Sequence, residues 1–171
     1  MPEPQKLDNR TEKSDVASPS PAAISPLVKL FASGLYSGFS PIASGTVGTL
    51  VGLLIYLIPS FADTPTLLAS CVVVFILGGL AAGKMETVYG HDPSAVTIDE
   101  VLGIWISLLL LPKTFLVVVG AFFLFRAFDV FKPWPARAFD RMNGGWNIML
   151  DDVVAGIYAN LVLQVAIRFL Q

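Results

Sequence analysis

Charge is concentrated in one stretch of this chain, residues 126–152, which reads RAFDVFKPWPARAFDRMNGGWNIMLDD. Apolar runs flank it on both sides, over 114–125 before it and 153–170 after it. A charged side chain left in hydrocarbon is costly, so acids and bases in such surroundings must be paired, hydrated or bound to an ion. We therefore interpret this stretch as the centre of a functional site that the remaining chain holds in place.

The composition indicates a membrane protein. Of the 171 residues, 54% are hydrophobic and only 14% charged, which is unusual for a soluble domain. We predict an all-α, multi-pass membrane protein in which about four to five apolar helices pack as a bundle with one polar, cytoplasm-facing site. A water-soluble helical bundle is the structural alternative, because several apolar runs are short.

Composition also excludes some functions. The net charge is -2 and no basic run with interleaved aromatic residues occurs, so we expect no nucleic-acid partner. The single cysteine, Cys71, lies in an apolar run, which argues against disulfides and cysteine-based metal sites. The sequence does not indicate an oligomeric state.

The chain divides into a tail and one domain. Residues 1–26 are rich in Pro, Ser and scattered charge, and we predict a disordered tail there. Residues 27–171 form a single helical domain in this interpretation. The start of the chain lacks the pattern of a secretory signal, so we expect the protein to stay in the cell or in its inner membrane.

Five apolar runs predict the helices, at 49–58, 66–83, 101–111, 114–125 and 153–170. If the chain turns at Pro112, three polar blocks lie on the same side of the bundle: the Gly/Thr stretch 45–49, the loop 84–100 and the charged stretch. If 101–125 is one long helix, the charged stretch lies opposite the other two. Lys and Arg predominate on the convergent side, which predicts that the site faces the cytoplasm.

The sharpest candidate pattern is Arg126, Asp129 and Lys132. Arg126 and Asp129 are three residues apart and share a helix face, and Lys132 follows one turn later. We predict that Asp129 binds a metal ion while Arg126 and Lys132 hold phosphate oxygens. A self-neutralising intramembrane salt bridge is the alternative.

Two adjacent pairs of acids accompany this pattern. Thr97 and Glu100 fit a helix capping box, which leaves Asp99 unexplained. Asp151 and Asp152 are expected in the first turn of the last helix, where the macrodipole favours acids, and a cation would relieve their mutual repulsion. The predicted metal ligands are Asp99, Asp129, Asp151 and Asp152. The predicted catalytic acids are Asp99, Glu100, Asp129 and Asp152.

Two further features have a functional and a structural interpretation. Thr46 and Thr49, in the stretch 45–49, could offer hydroxyls and backbone N–H groups to a phosphate, whereas the glycines around them equally suit close helix packing. His91, the only histidine, is either a proton donor or support for a ligand, or an ordinary loop residue.

The remaining chemistry is that of a metal-assisted phosphatase. Cys71 has no arginine six residues later and no Asp-x-Asp pair occurs, so covalent phosphatase routes are not indicated. Carboxylate-bound Mg²⁺ with cationic side chains can instead orient a phosphomonoester and activate water.

Three blocks of sequence support a specific resemblance. SGFSPIASGTVGT (37–49), HDPSAVTIDEVLGIW (91–105), and FRAFDVFKPWPARAFD (125–140) with GGWNIMLDDVVAG (144–156) resemble the bacterial phosphatidylglycerophosphatase A family. The resemblance implies an inner-membrane, Mg²⁺-dependent enzyme that removes the terminal phosphate of phosphatidylglycerophosphate to give phosphatidylglycerol. The residues that fall on the family motifs are Asp99, Glu100, Asp129, Lys132, Asp151 and Asp152. Ser44 and Asn147 depart from the family pattern at positions we expect in loops.

Two other functional classes fit parts of the sequence. A small ion or solute carrier would use acids near helix ends, but the halves of the chain show no internal repeat. A phosphatidyl-group transferase could use similar acids and metal, but its usual Asp-Gly opening with spaced aspartates is missing.

Overall fold

The computed structural model describes residues 24–170, apart from the side chain of Leu170. Every regular element in this part is helical: α1 Pro26–Ala32, a 3₁₀ turn Ser37–Phe39, α2 Ser44–Tyr56, α3 Thr64–Tyr89, α4 Ile98–Leu108, α5 Phe115–Phe131, α6 Ala136–Asp140 and α7 Gly145–Leu170. The all-α prediction is confirmed. The predicted tail over 1–26 lies outside the described residues except for its last three.

Helix α4 is the centre of the fold. It packs against α2, α3, α5 and α7, and nine of its 11 residues are buried. The Trp105 indole N–H donates a hydrogen bond of 2.8 Å to the carbonyl of Gly52, which fixes α2 against α4. A short helix buried on nearly all sides is stabilised by its neighbours rather than by its own hydrogen bonds. Its first turn is therefore held in a defined place.

Helices α4 and α5 are separate, with Pro112 in the turn between them. The Thr114 hydroxyl accepts a 3.5 Å contact from the Val117 N–H at the start of α5. At the end of α4, the Asn160 side-chain amide donates to the carbonyls of Ser107 and Leu109 at 3.1 and 2.8 Å. These contacts satisfy backbone groups that a helix end leaves open. The turn at Pro112 brings the three polar blocks to one end of the bundle, as the first alternative predicted.

Glycines permit the closest helix crossing. A Cβ atom on Gly145 of α7 would lie 2.2 Å from both the carbonyl oxygen of Gly79 and the N atom of Gly83 in α3. Real side chains do not approach backbone so closely, so α3 and α7 are in direct backbone contact here. Gly48 and Gly52 likewise allow α2 to pack closely against α4. An added Cβ atom on Gly48 would lie 2.7 Å from the Cβ atom of Thr97, the N-cap residue of α4, and one on Gly52 would lie 2.6 Å from Cγ2 of Ile104. The packing interpretation of these two glycines is confirmed.

Four helices are longer than the apolar runs suggested. α2 begins at Ser44, five residues before its apolar run. α3 continues past position 84 to Tyr89, because Met85 is fully buried and packing holds the last turns. α5 continues through the first charged residues to Phe131. α7 begins at Gly145, so Asp151 and Asp152 lie beyond its first turn and are buried. The macrodipole explanation of these two acids is therefore wrong. Ser44 and Asn147 both lie in helices rather than in the loops that we expected.

Two helices within the described part are long and apolar enough to cross a membrane, α3 and α7. α2, α4 and α5 have 13, 11 and 17 residues, which is shorter than the roughly 20 residues of a full span. The helical bundle predicted from the sequence is therefore present. The length and composition of its described helices support two membrane spans.

Candidate active site

A polar cavity of about 250 Å³ lies where α2 and α4 begin and α5 ends. Its lining residues come from all three polar blocks: Ser44, Gly45, Asp92, Pro93, Ser94, Val96, Asp99, Glu100, Arg126, Asp129, Lys132, Asp151 and Asp152. Six of these carry carboxyl groups and two carry cationic side chains. Such an excess of acids in a partly buried space requires protons or bound cations to balance it.

Three of the carboxylates form a cluster. Asp99, Glu100 and Asp152 each offer one oxygen atom, and these atoms lie within 4.8 Å of one another. Asp99 Oδ1 and Glu100 Oε2 are buried and have no hydrogen-bond partner among the described residues. Buried polar atoms are normally paired, so two orphan oxygens in one cluster indicate a missing partner. Oxygen ligands of this kind suit a hard divalent cation such as Mg²⁺.

The capping box predicted for Thr97 and Glu100 is wrong. The Thr97 side chain makes no capping hydrogen bond, and its hydroxyl lies 2.9 Å from the Ser37 hydroxyl instead. The Glu100 carboxylate packs beside Gly45, where a Cβ atom would approach Glu100 Oε1 to 2.4 Å. Glu100 is therefore directed into the cavity and is available for chemistry.

Arg126 and Asp129 share a helix face, as their spacing predicted, and they form the ion pair that was the alternative to a metal ion on Asp129. Arg126 Nη1 lies 2.7 Å from Asp129 Oδ2, although the orientation leaves this N–H without a well-formed hydrogen bond. Both guanidinium ends also lie next to Gly45, 3.1 Å from where its Cβ would be. Arg126 thus lies close to the first turn of α2 and lines the cavity, and its Nη1 group has no hydrogen-bond partner among residues 24–170. A planar guanidinium with free donors suits phosphate oxygens.

Lys132 does not join the Arg126 pair but bonds elsewhere. Its Nζ donates to Asp151 Oδ2 at 2.7 Å and also to the Asp140 carboxylate. Burial lowers the pKa of Lys132, but the Asp151 and Asp140 carboxylates outweigh this effect and hold the pKa above its ordinary value. Lys132 therefore remains a cation at the edge of the cavity.

The structure separates the four predicted metal ligands into three groups. Asp99 and Asp152 belong to the carboxylate cluster, together with Glu100. Asp129 is paired with Arg126. Both carboxylate oxygens of Asp151 already accept hydrogen bonds. Oδ2 accepts from Lys132, and Oδ1 accepts from the Asp152 N–H at 3.0 Å. The geometry favours Asp99, Glu100 and Asp152 as the ion-binding set.

Thr46 and Thr49 do not line the cavity. Thr49 is fully buried and its hydroxyl donates to the Gly45 carbonyl at 2.8 Å, so it has no donor for a phosphate. The start of α2 contributes Ser44 and Gly45 instead. The prediction of a phosphate contact from these two threonines therefore has no support in the geometry.

Sequence reasoning missed Asp92 and Ser94 in the cavity and Asp140 beside it. Asp92 could have been noted as an acid in the loop between α3 and α4. Asp140 lies within the charged stretch, eight residues after Lys132, but nothing in that spacing indicates that the two side chains meet.

His91 lies outside the cavity and joins neighbouring segments. Its Nδ1 lies 3.3 Å from Glu86 Oε1, and its Nε2 lies 3.1 Å from the carbonyl of Asp140. The hydrogen bond with Glu86 is the main cause of a raised His91 pKa. Glu86 Oε2 also accepts from the Gly144 N–H at 2.8 Å. Within the described structure, His91 does not line the cavity but connects the end of α3 to the end of α6.

The fold and the site together define a class: an all-α protein whose apolar helices carry, at one end, a cavity of carboxylates and cations suited to a metal ion and an anionic ligand. Comparison with protein families makes this class specific. The family described as phosphatidylglycerophosphatase A matches residues 30–167, and the chain belongs to this family. The resemblance noted in the sequence blocks is confirmed.

Three relatives cover most of the chain. A protein of Bacteroides thetaiotaomicron, named as a candidate phosphatidylinositol-3-phosphatase, is 41% identical over 80% of this chain and 91% of its own length. The phosphatidylglycerophosphatase A proteins of Escherichia coli and Haemophilus influenzae are each 36% identical, over 78% and 80% of this chain and 80% and 86% of their own lengths. No solved structure matches the chain.

Proposed function

We propose that this enzyme hydrolyses the terminal phosphate monoester of phosphatidylglycerophosphate in the polar cavity and leaves phosphatidylglycerol. The observation that carries the proposal is the set of two orphan carboxylate oxygens, on Asp99 and Glu100, in a cavity that also presents Arg126 and Lys132. Family membership supports the phosphatase chemistry over a carrier or a phosphatidyl-group transferase.

The residues suggest a division of labour. Asp99, Glu100 and Asp152 would hold Mg²⁺, which when bound polarises phosphate oxygens and makes a coordinated water more acidic. Arg126, oriented by Asp129, binds phosphoryl oxygens, and Lys132 adds a second positive charge. These two cations offset the charge of the phosphate group during in-line attack by water. Water forms the new bond to phosphorus, the bond to the glycerol oxygen breaks, and that oxygen takes up a proton.

The position of the cavity suits a membrane-bound substrate. Large apolar side chains on α3, such as Leu68, Val72 and Leu80, are about half exposed and would face lipid if this helix spans the bilayer. Trp134, near the cavity end of the bundle, is 81% exposed, and tryptophan favours the headgroup region. We infer a multi-pass protein of the inner membrane with its site on the cytoplasmic side, where the headgroup of a lipid phosphate can enter.

A second substrate has a specific reason to be tested. The relative from Bacteroides thetaiotaomicron carries the name of a phosphatase for a different lipid phosphate, phosphatidylinositol 3-phosphate. Both lipids are phosphomonoesters on anionic headgroups, so the same cations and carboxylates could act on either. The substrate comparison therefore belongs in the first assay.

The test is phosphate release by the purified full chain in detergent with each lipid, in Mg²⁺ and in a chelator. We expect release from phosphatidylglycerophosphate in Mg²⁺ and at least about a hundredfold less after chelation, because metal catalysis contributes several kcal/mol. Asp152→Asn should be similarly impaired while its thermal unfolding stays cooperative. Absence of release from both lipids would overturn the proposal, and faster release from the inositol lipid would reassign the substrate.

A further inference from the structure

A continuous series of polar contacts runs from the end of α3 to the cavity. Glu86 contacts His91, and His91 contacts the backbone carbonyl of Asp140. The Asp140 carboxylate pairs with Lys132, and Lys132 donates to Asp151 inside the cavity. We call the first four of these residues, Glu86, His91, Asp140 and Lys132, the polar tether. Proposed catalysis uses only its last member.

The tether determines how the Lys132 ammonium group is oriented. An ammonium group has three N–H donors and no acceptor. Asp140 and Asp151 approach Nζ from α6 and α7 and occupy two of these donors. The third donor remains for a ligand in the cavity, which Lys132 lines. A long, flexible side chain is thus restricted to one position by carboxylates on two different elements.

The backbone of Lys132 shows the same restriction. Lys132 ends α5 with a φ of 43°, in the left-handed region that residues other than glycine seldom occupy. Pro133 follows directly, so the chain cannot continue the helix. The side chain leaves α5 toward α6 and α7 rather than along its own helix. Its two carboxylate partners therefore lie on elements that follow this turn.

The other end of the tether holds Asp140. Asp140 is the last residue of the short helix α6, which five residues cannot stabilise alone. His91 Nε2 lies within hydrogen-bonding distance of the Asp140 carbonyl, and Glu86 binds both His91 and the Gly144 N–H. These contacts hold residues 140–144 at both ends of the segment, next to the C-terminal end of α3.

We propose that Asp140 is a positioning residue for Lys132 and that Glu86 and His91 hold Asp140 in place for this purpose. The proposal rests on the proposed phosphatase function, in which Lys132 binds the substrate phosphate. Asp140 itself is not among the residues that line the cavity, so its effect must pass through Lys132. Loss of Asp140 would let Nζ move fully onto Asp151, away from the phosphate.

The test is a double-mutant cycle with full-length Asp140→Ala, Lys132→Ala and the combined variant, assayed for phosphate release in Mg²⁺. We expect Asp140→Ala to raise KM about tenfold or more, with a smaller effect on kcat. The combined variant should be no worse than Lys132→Ala alone, because interacting residues are not additive. Asp140→Glu, which restores the carboxylate, should recover most of the loss.

Several outcomes would overturn the proposal. Multiplied losses in the combined variant would show that Asp140 acts independently of Lys132. A lower KM for Asp140→Ala would show that Asp140 competes with the substrate for Lys132. Unchanged kinetics would remove Asp140 from the mechanism, whereas an inactive wild-type chain would instead refute the proposed function.

Asp63→Ala is the control for loss of an acid at a position away from the cavity. Asp63 precedes α3 at the opposite end from Glu86 and its side chain makes no capping hydrogen bond. Its kinetics should equal those of the wild type. Thermal unfolding of every variant should be recorded, because a merely structural role for Asp140 would lower the amount of active protein without changing KM.

Discussion

At the scale of single residues, three strained positions border the cavity. Ala43, Asp92 and Lys132 have φ values of 47°, 42° and 43°, in the left-handed region. Each such residue costs on the order of 1–3 kcal/mol and persists where surrounding contacts fix it. Ala43 sets the direction of the first turn of α2, Asp92 lies in the loop before α4, and Lys132 ends α5. Conformational strain is therefore located where three segments enter the site.

Substitution of Gly45 is expected to disturb the arrangement of the active-site side chains. An added methyl group would lie 2.4 Å from Glu100 Oε1 and 3.1 Å from both terminal nitrogens of Arg126, so both side chains would have to move. We expect Gly45→Ala to lower kcat/KM by about tenfold or more, since small displacements in an active site are costly. The measurement is phosphate release, with thermal unfolding in parallel.

Gly120→Ala in α5 is the matched control. Its added methyl group would meet only the end of the Leu163 side chain, at 3.1 Å, which can adjust. This variant should retain activity. Equal activities for the two alanine variants would show that the crowding at Gly45 does not affect catalysis.

At the scale of elements, the crossing of α3 and α7 determines where Asp151 and Asp152 lie. Both acids are in α7, six and seven residues after Gly145, where the two helices touch. Trp146 covers Gly79, and Met149 covers Gly78, so the contact continues along the next turn. A shift of α7 at this crossing would displace both acids relative to α4.

We expect Gly145→Ala to destabilise the protein by about 2 kcal/mol or more, because overpacking against backbone atoms cannot be relieved by rotation of a side chain. The measurement is reversible denaturant or thermal unfolding in detergent. Gly83→Ala is the control on the facing helix: its methyl group would lie 3.6 Å from the nearest atom, in ordinary contact. It should be neutral or stabilising by up to about 1 kcal/mol. Equal stabilities of both variants would contradict the close crossing.

At the scale of the whole molecule, the turn at Pro112 places all site segments at one end of the bundle. Thr87, near the end of α3, and Met142, after α6, are exposed at this end, whereas Asp63 precedes α3 at the other end. If α3 crosses the membrane, Thr87 and Asp63 must face opposite sides. Met142 must share the side of Thr87.

Single-cysteine labelling tests this arrangement. In a Cys71→Ala background, we expect Thr87→Cys and Met142→Cys to react with a membrane-impermeant reagent only in inside-out vesicles. Asp63→Cys should react only in right-side-out vesicles or intact spheroplasts. Labelling of Thr87→Cys and Met142→Cys from opposite sides would contradict the placement of all site segments at one end of the bundle. Reversed labelling of all three variants would place the cavity on the outer side of the membrane.

The helical class, the family and most of the residues that line the cavity could be predicted from the amino-acid sequence. Apolar runs and charged blocks are local patterns, and the order and spacing of the blocks are specific to the family. The pairing of Arg126 with Asp129 also follows from spacing along one helix. Seven charged residues singled out on these grounds line the same cavity: Asp99, Glu100, Arg126, Asp129, Lys132, Asp151 and Asp152.

Apart from this Arg126–Asp129 pair, the contacts of the polar side chains became clear only from the three-dimensional arrangement of the helices. Lys132 meets Asp140 and Asp151, Glu100 leaves its expected cap to approach Gly45, and Thr49 turns its hydroxyl into its own helix. These contacts depend on where each helix begins and ends and on how the helices cross. Burial extends α3 and α7 beyond their apolar runs, and the glycine crossing fixes how α7 lies against α3 and α4. Distances between side chains on different helices follow from that packing, which no spacing along the chain encodes.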